Sequence, residues 1–452
     1  MANVTTVANV PQLLKRRYGD VGQTVPLHYD LFKFLQTAKK VKFANRDFIF
    51  PIIVAPGGAA SPYAAGGKFP GPRNPVIRDA TLPLTRLGTS IAADEQMWVS
   101  GKSDADGFLG NFDKIVKLTI ENFKRRHNIL IYGAHLTSLA NGAVPATASR
   151  NGIINRISAV AGGPPVTSIT VNRPLGYDDA DLGSTRFARY LLQGDVFAYG
   201  TIAGTTLTVK GSLAIDDVNY SASSATVTIL TSPGGQPAAN DFIVYCDPDT
   251  ASVNGYSTSA QGLGALIYQA ADANGAQQIE GVTVQPNNLM GWSTPNIISG
   301  GPFSQSDWHQ AVRTLEVVSN SDAPKAMVND PTMADIYATT LFPDQRLVAQ
   351  EAKGGRKTIP TFASGKGDIE QIYDDKCPYG MTFFLTKEQA FWLHLTGQEL
   401  PSFYHGADGK QWKDFQMEDG VYAVFRWQYN LGLETLNSHA VARGVTVPNA
   451  PL

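Results

Sequence analysis

Cysteine is nearly missing from this chain: Cys246 and Cys377 are the only two in 452 residues. They stand far apart, and no Cys and His pair has the spacing of a zinc site. Two free thiols in a reducing cytoplasm are therefore favoured over a single disulfide. Charge is scarce as well. Asp, Glu, Lys and Arg make up 17% of the residues, against roughly 25% in ordinary globular domains. The net charge of −2 excludes the global basic field of a dedicated nucleic-acid binder and leaves room only for local DNA contacts. Long apolar runs are absent, and the N-terminal stretch MANVTTVANVPQLLKRRYGD has no apolar core of a secretion signal. No membrane partner is expected, and the protein is expected to stay on the soluble side. A surface covered largely by uncharged residues suits extensive protein contacts; a Gly- and Ser-rich β protein accounts for the same composition.

Catalytic constellations are missing too. The seven histidines, His28, His127, His135, His309, His394, His405 and His439, are scattered, with no pair at metalloprotease spacing. The stretch GGAASPYAAGGKF has the outline of a phosphate loop, but Pro62 replaces its first glycine and Phe69 its magnesium-binding hydroxyl, which removes the chemistry. Asp374 and Asp375 are neighbours in sequence and would point to opposite faces of an extended segment, so a turn is favoured over an acid-base or metal pair. Cys377 follows Lys376, yet no histidine lies nearby in sequence to activate the thiol. There is no Gly-x-Ser-x-Gly elbow. The sequons at Asn3 and Asn219 carry no weight without a secretion signal. The chain reads as a structural protein and not an enzyme, with no catalytic residue, no cofactor and no metal.

What is present is organised around Gly367 to Leu393, GDIEQIYDDKCPYGMTFFLTKEQAFWL. Ile369 and Ile372 anchor a first strand; Asp374, Asp375, Pro378 and Gly380 form a polar turn; Met381 to Leu385 is an apolar run of strand length. Thr386 has the chemistry of a helix N-cap, with Glu388 and Gln389 in the first turn. The expected unit is strand, turn, strand, helix.

At 452 residues the chain exceeds a single core of roughly 250 to 300 residues, so several packing units are expected. Residues 1 to 50 carry short apolar clusters and eight basic against three acidic side chains, which reads as an arm, either laid over a neighbouring subunit or folded back on its own domain. Phe48 to Val54 and Val76 to Ala93 read as the two sides of a long hairpin, with Pro83 at an edge or irregular position. The Gly- and Pro-rich loop between them is too long for a compact interior and is expected to reach outward. A helix is expected from an Asn111 cap, with Phe112, Ile115, Val116, Ile120, Phe123 and His127 as its apolar face, Asp113 in its first turn and Lys124, Arg125 and Arg126 near its last. From about Asn151 to Asp247 short alternating runs at Thr167 to Val171, Thr206 to Lys210, Ala225 to Leu230 and Phe242 to Tyr245 read as a small barrel or sandwich. Ser304 opens a second helix faced by Trp308, Val312 and Leu315, with Asp307 as its capping-box acid. A short strand, Lys325 to Val328, precedes an Asp330 and Pro331 cap for a third helix containing Met333, Ile336 and Tyr337. Val421 to Leu433 alternates as one long half-buried strand, with Arg426, Gln428, Asn430 and Glu434 on the polar face.

The acidic turn, Pro-x-Gly, second strand and run ending in Trp392 and Leu393 resemble the late part of the major capsid protein of tailed bacteriophages, the Hong Kong 97-type fold, and the order of the other segments is similar over nearly the whole chain. The resemblance implies an α+β chain: an N-terminal arm (1–50), an extended loop hairpin (51–110), a long spine helix with the start of the peripheral domain (111–150), an inserted β-rich barrel or sandwich (151–250), an axial domain (251–360), and the peripheral return with a closing strand (361–452). It further implies a virion protein, assembled in the host cytoplasm into hexamers and pentamers of an icosahedral head around double-stranded DNA held without sequence specificity. Portal, scaffolding and decoration or cement proteins are the implied partners. The scaffold would be a separate protein, since no long charged helical prefix precedes the arm. Inter-subunit contacts would involve Tyr63, Lys68 and Phe69 in the extended loop and Lys15, Arg16 and Arg17 in the arm, whose charges could offset phosphate. Some members of this family weld their shells by Lys to Asn bonds. Lys68 is the only lysine placed for that, no asparagine can be matched to it, and a solvated or salt-bridging lysine is favoured. The rival readings are an encapsulin-like compartment or tail-tube protein, and a carbohydrate-binding β-domain protein.

Overall fold

The computed structural model describes residues 31, 34–35, 39–43, 47–55, 57–58, 62–63, 65, 67–68, 74–94, 109–133, 152–163, 166–183, 186–203, 206–220, 224–231, 235–245, 252–254, 260–268, 278–280, 282–283, 292, 296–302, 304–318, 324–333, 335–336, 362–364, 367–395, 401–405, 411–414 and 420–446. In chain order these give β1 (Lys39–Phe43), β2 (Asp47–Ala55), β3 (Val76–Pro83), β4 (Thr85–Asp94) and the helix α1 (Leu109–Leu130). Next come β5 (Ile153–Ala161), β6 (Ser168–Asn172), β7 (Val196–Ala203), β8 (Thr206–Asn219), β9 (Ser224–Thr231), β10 (Phe242–Val244) and β11 (Ser252–Asn254). The small hairpin β12 (Gln278–Ile279) and β13 (Val282–Thr283) leads to β14 (Asn296–Pro302) and the helix α2 (Gln305–Val318). The remainder is β15 (Ala326–Asn329), β16 (Phe362–Ser364), β17 (Gly367–Tyr373), β18 (Thr382–Leu385), β19 (Ala390–Leu395), β20 (Ser402–Phe403), β21 (Lys413–Asp414), β22 (Gly420–Leu433) and β23 (Ala440–Thr446). Among the described residues sheet dominates and helices are few.

Two six-stranded sheets form the body. One runs β1-β19-β22-β20, with β4 and β21 also paired to β22; the other runs β14-β23-β18-β15-β17-β16. The long strand β22 is the axis of the first. Its odd-numbered residues Phe425, Trp427 and Tyr429 face α1, where Phe123 meets Phe425 edge-on at 5.0 Å and His127 sits 5.0 Å from Trp427 and 4.9 Å from Tyr429. The expected alternation holds as far as Trp427. Beyond it both faces are covered: Gln428 and Asn430 are buried. Asn430 fits because its side chain is fully used, its Nδ2 donating to the Pro83 carbonyl (2.7 Å) and its Oδ1 accepting from the Gln261 amide (2.8 Å).

The organising stretch departs from expectation at one point. After Thr386 there is a single 3-10 turn, Lys387–Gln389, and then strand β19, not a helix. The Thr386 hydroxyl donates to the Ser438 carbonyl at 2.9 Å and caps nothing. The run AFWLHL is β-prone and pairs on both edges, antiparallel to β22 and parallel to β1, so the sheet overrides the local helix signal. The preceding strand behaves as read: Ile369 packs with Trp308, Val312 and Leu315 of α2, while Ile372 turns into the main core. The cap at Asp330 also holds, its Oδ1 accepting from the Thr332 amide at 2.8 Å; Tyr337 lies outside the described residues.

Other boundaries shift. Helix α1 starts at Leu109, so Asn111 is not its cap, no acid stands in its first turn, and the single basic residue of its last turn is His127. Burial drives the His127 ring down to about 3, so it carries no charge for the helix dipole. The expected return strand of the hairpin is two strands: β3 ends at Pro83, and β4 leaves the hairpin to pair with β22 along its length. The end of the arm is folded back on its own domain. Leu31 and Leu35 are buried, the Leu35 carbonyl accepts from the Trp392 indole at 2.7 Å, and β1 extends the first sheet.

The β-rich segment closes on itself. Its strand order β8-β7-β10-β5-β6-β9 returns to β8 through the β8 and β9 pairing, with β11 added on β8, so the ring is a barrel and not a sandwich. The sequence reading lacked β5 and β7. In β5 burial does not alternate: Ile153, Ile154 and Asn155 are buried in succession and Ser158 to Ala161 are exposed in succession, so the period-two signal is weak. The chain leaves α1 at Gly133 and returns at Gly262, whose Cβ, were there one, would lie 2.5 Å from the Gly133 carbonyl oxygen.

Candidate interaction surface

The surface with the clearest physical demand for a partner is the β2–β3 hairpin. It forms a two-stranded sheet that pairs with no other described strand. Its inner side chains Phe48, Phe50 and Leu82 pack on Phe391, with ring centroids at 6.0 Å and 5.2 Å for the two phenylalanine pairs, and Ile52 and Ala80 are buried beside them. The outer face alternates with these: Ile49 is 62% exposed, Ile53 59% and Ile77 53%, and Pro51 is exposed between them. Ile53 and Ile77 stand directly opposite one another. Val76 adds to the patch at the tip. Asp79 and Thr81 of β3, opposite Pro51 and Ile49, share this face and are exposed; its three isoleucines gain nothing from standing in water.

Of the loop residues read as contacts, Tyr63 and Lys68 are exposed beyond the hairpin tip, and Phe69 lies outside the described residues, as do Lys15, Arg16 and Arg17. The sequence reading missed Ile49, Ile53 and Ile77. The signal was available: in DFIFPIIVA both alternation classes are apolar, the pattern of a strand covered on two sides.

Ion pairs line part of the seam between barrel and body. Arg125 and Arg126 of α1 both reach Asp195 at the foot of β7, at 3.1 Å and 3.2 Å. Arg189, in the 3-10 turn Phe187–Tyr190, pairs with buried Asp330 at 3.0 Å, stacks over the Tyr379 ring at 4.1 Å and donates to the Cys377 carbonyl at 3.0 Å. Beside it Asp374 is fully buried and accepts from the Asn128 side-chain amide, 3.1 Å to each oxygen, and from the Lys376 amide at 2.9 Å. Burial raises its carboxyl to about 6 against the pull of those donors. Asp375 points to solvent, so the pair is a turn. Burial, aided by Asp330 and Asp374, pushes the Cys377 thiol well up, which makes it inert as a nucleophile. Cys246 lies outside the described residues. Among the described residues no group of three His, Cys, Asp or Glu could hold a metal ion, and no helix is long and apolar enough to cross a membrane.

No family model matches the chain, and no curated protein does. Solved structures do. The chain is similar to the capsid asymmetric unit of cyanophage A-1(L), at 10% identity over 96% of this chain and 98% of that one, with a TM-score of 0.48. These structures are capsid and encapsulin proteins. The capsid of an empty GTA particle is similar at 8% identity, covering 96% of each chain, with a TM-score of 0.47. The holo-SrpI encapsulin complex from Synechococcus elongatus PCC 7942 is similar at 10% identity over 96% of this chain and 95% of that one, with a TM-score of 0.39.

Proposed function

We propose that this chain is the major capsid subunit of a tailed phage, which self-assembles into hexamers and pentamers of an icosahedral head around double-stranded DNA. The observation that carries the reading is the β2–β3 hairpin, a ribbon that pairs with no other described strand and whose outer face presents Ile49, Ile53 and Ile77 to solvent. A second copy covers such a face, and many copies each covering a neighbour's hairpin close a shell by the addition of modest contacts. Tyr63 and Lys68 extend the contact past the tip, and Phe69 belongs to the same loop. The charges of Lys15, Arg16 and Arg17 offset phosphate of the packaged DNA. The role places the protein in the virion, with portal, scaffolding and decoration or cement proteins as its other partners.

The test is negative-stain electron microscopy with light scattering on the wild-type chain and on a variant carrying Ile49→Asp, Ile53→Asp and Ile77→Asp. Closed shells or rings of five and six are expected from the wild type, and folded monomers from the variant. Shells formed equally well by both remove the hairpin from the assembly contact. A wild-type monomer that never assembles overturns the capsid reading, and closed particles that exclude DNA move it to a compartment shell.

A further inference from the structure

We propose that the side of the first sheet turned away from α1 is a docking site for an extended acidic segment of a partner polypeptide, laid along β4 over Gly88 with its carboxylates on Arg86 and Arg426. Phe425 and Trp427 point to α1, so Arg426 and the residues paired with it, Gly88 of β4 and Ser402 of β20, stand on the opposite side. Ser90 and Lys413 in the neighbouring rows stand there too. Arg86, Gly88, Ser90 and Ser402 are exposed, and Arg426 and Lys413 are half-buried.

Two independent observations ask for a ligand here. The first is uncompensated charge. The Arg426 guanidinium lies 3.8 Å and the Lys413 ammonium 4.4 Å from the centre of the Tyr404 ring, so two cations share one aromatic side chain. Arg86 stands two residues from Gly88 along β4, about 7 Å away. Among the described residues none of the three cations meets a carboxylate, and the Arg426 Nε is buried without a hydrogen-bond partner. The acidic position of β4 on this side is Asp94, opposite Gly420 at the far end of the strand and about 20 Å from Gly88. The second observation is Gly88 itself. Glycine weakens a strand interior, and the fold does not require this one: it lies in regular strand, and an added Cβ would stand 3.6 Å from the Phe425 carbonyl oxygen and 3.7 Å from the Arg426 Cβ, which are ordinary contacts. Bare backbone on an exposed strand, flanked by two arginines, admits another backbone at close range. The number of cations then selects the partner. Duplex DNA is gripped through about six to ten phosphate contacts, and this side offers three cations. An extended polypeptide needs fewer, because its alternate side chains repeat at about 7 Å: one carboxylate meets Arg86 and the next lies over Gly88 beside Arg426, where a guanidinium fork binds it through paired hydrogen bonds. The site belongs to the single chain and is independent of shell formation.

Isothermal titration of the unassembled full-length chain tests this with three probes: a decapeptide of alternating Asp and Ala, its Asn and Ala counterpart, and a short DNA duplex. The acidic peptide is expected to bind and the amide peptide not to. Arg86→Gln is expected to weaken the acidic peptide by about tenfold. Gly88→Val is expected to abolish its binding while the thermal midpoint stays the same or rises, since valine suits a strand better than glycine. Arg86→Gln, a change at an exposed side chain, decides the matter should Gly88→Val fail to fold. No binding of the acidic peptide, or equal affinity in wild type and variants, overturns the proposal. Duplex binding that both variants weaken, with no peptide binding, overturns it in favour of a nucleic-acid contact.

Discussion

At the scale of single residues, the buried acid Asp374 shows how environment decides what an aspartate is for. Adjacent Asp374 and Asp375 are alike in sequence, yet one faces Asn128 inside the protein and the other faces solvent. The folded value of Asp374, about 6, lies above its ordinary 3.8. The stability it contributes is therefore fully present below about pH 4 and lost as pH rises through about 6, on the order of 3 kcal/mol in all. Asp374→Asn is expected to flatten that part of the urea-midpoint profile between pH 4 and pH 6.5; an unchanged profile contradicts the assignment. Gly380 is a second position where one atom decides. It has φ +71°, and an added Cβ would meet the Gly183 backbone nitrogen and lie 2.6 Å from the Val445 carbonyl oxygen. Gly380→Ala is expected to cost about 3 kcal/mol or more, combining backbone strain with overpacking. Gly58→Ala is also left-handed, at φ +99°, but meets nothing within 4 Å, so strain alone applies, at about 1 kcal/mol. Thermal midpoints of the two variants separate these terms.

At the scale of elements, legibility followed the dominance of one physical signal. β22, α2 and the Asp330 cap were readable because alternation, helical period and capping chemistry each act locally. Thr386 was misread because its N-cap chemistry is genuine, while pairing with β22 and β1, distant in sequence, decides the conformation of the residues after it. The basic end of α1 was misread for a related reason: Arg125 and Arg126 were assigned to the helix dipole, whereas they serve Asp195. That assignment is testable. Asp195 is buried, its amide donates to Leu192, and its carbonyl accepts from Ile215 of β8. Asp195→Ala leaves two like charges facing a void and is expected to cost about 1 to 3 kcal/mol. The effect should appear as faster hydrogen exchange in β7 and β8, with β22 unaffected. Salt added to the wild type should reproduce part of it by screening the partly exposed arginines. Equal exchange in both proteins would show that apolar packing alone seats the barrel.

At the scale of the whole molecule, the barrel is an excursion by connectivity but part of the body by packing. Its entry and exit touch at Gly133 and Gly262, the arrangement of a removable insert. Its contacts point the other way. Ile157, Ile169, Phe197 and Leu213 of the barrel belong to the same apolar cluster as Tyr132, Met381, Trp427 and Leu431 of the body. Tyr177, between β6 and β7, donates its hydroxyl to the Tyr132 carbonyl, and Tyr190 donates to that of Lys376 at 3.0 Å. Two units that share one core unfold together, because neither retains its apolar cover when the other melts. The sequence supplies a clean probe. All six tryptophans, Trp98, Trp292, Trp308, Trp392, Trp412 and Trp427, lie outside residues 151–250, so tryptophan emission reports the body while far-ultraviolet circular dichroism reports body and barrel together. In urea the two transitions are expected to coincide in midpoint and slope for the unassembled chain. A second dichroism step without change in emission would mean that the barrel stands alone. In that case the arginine seam at Asp195 and Asp330 would be a docking contact between two independent domains, and excising the barrel between Gly133 and Gly262 would leave a folded body.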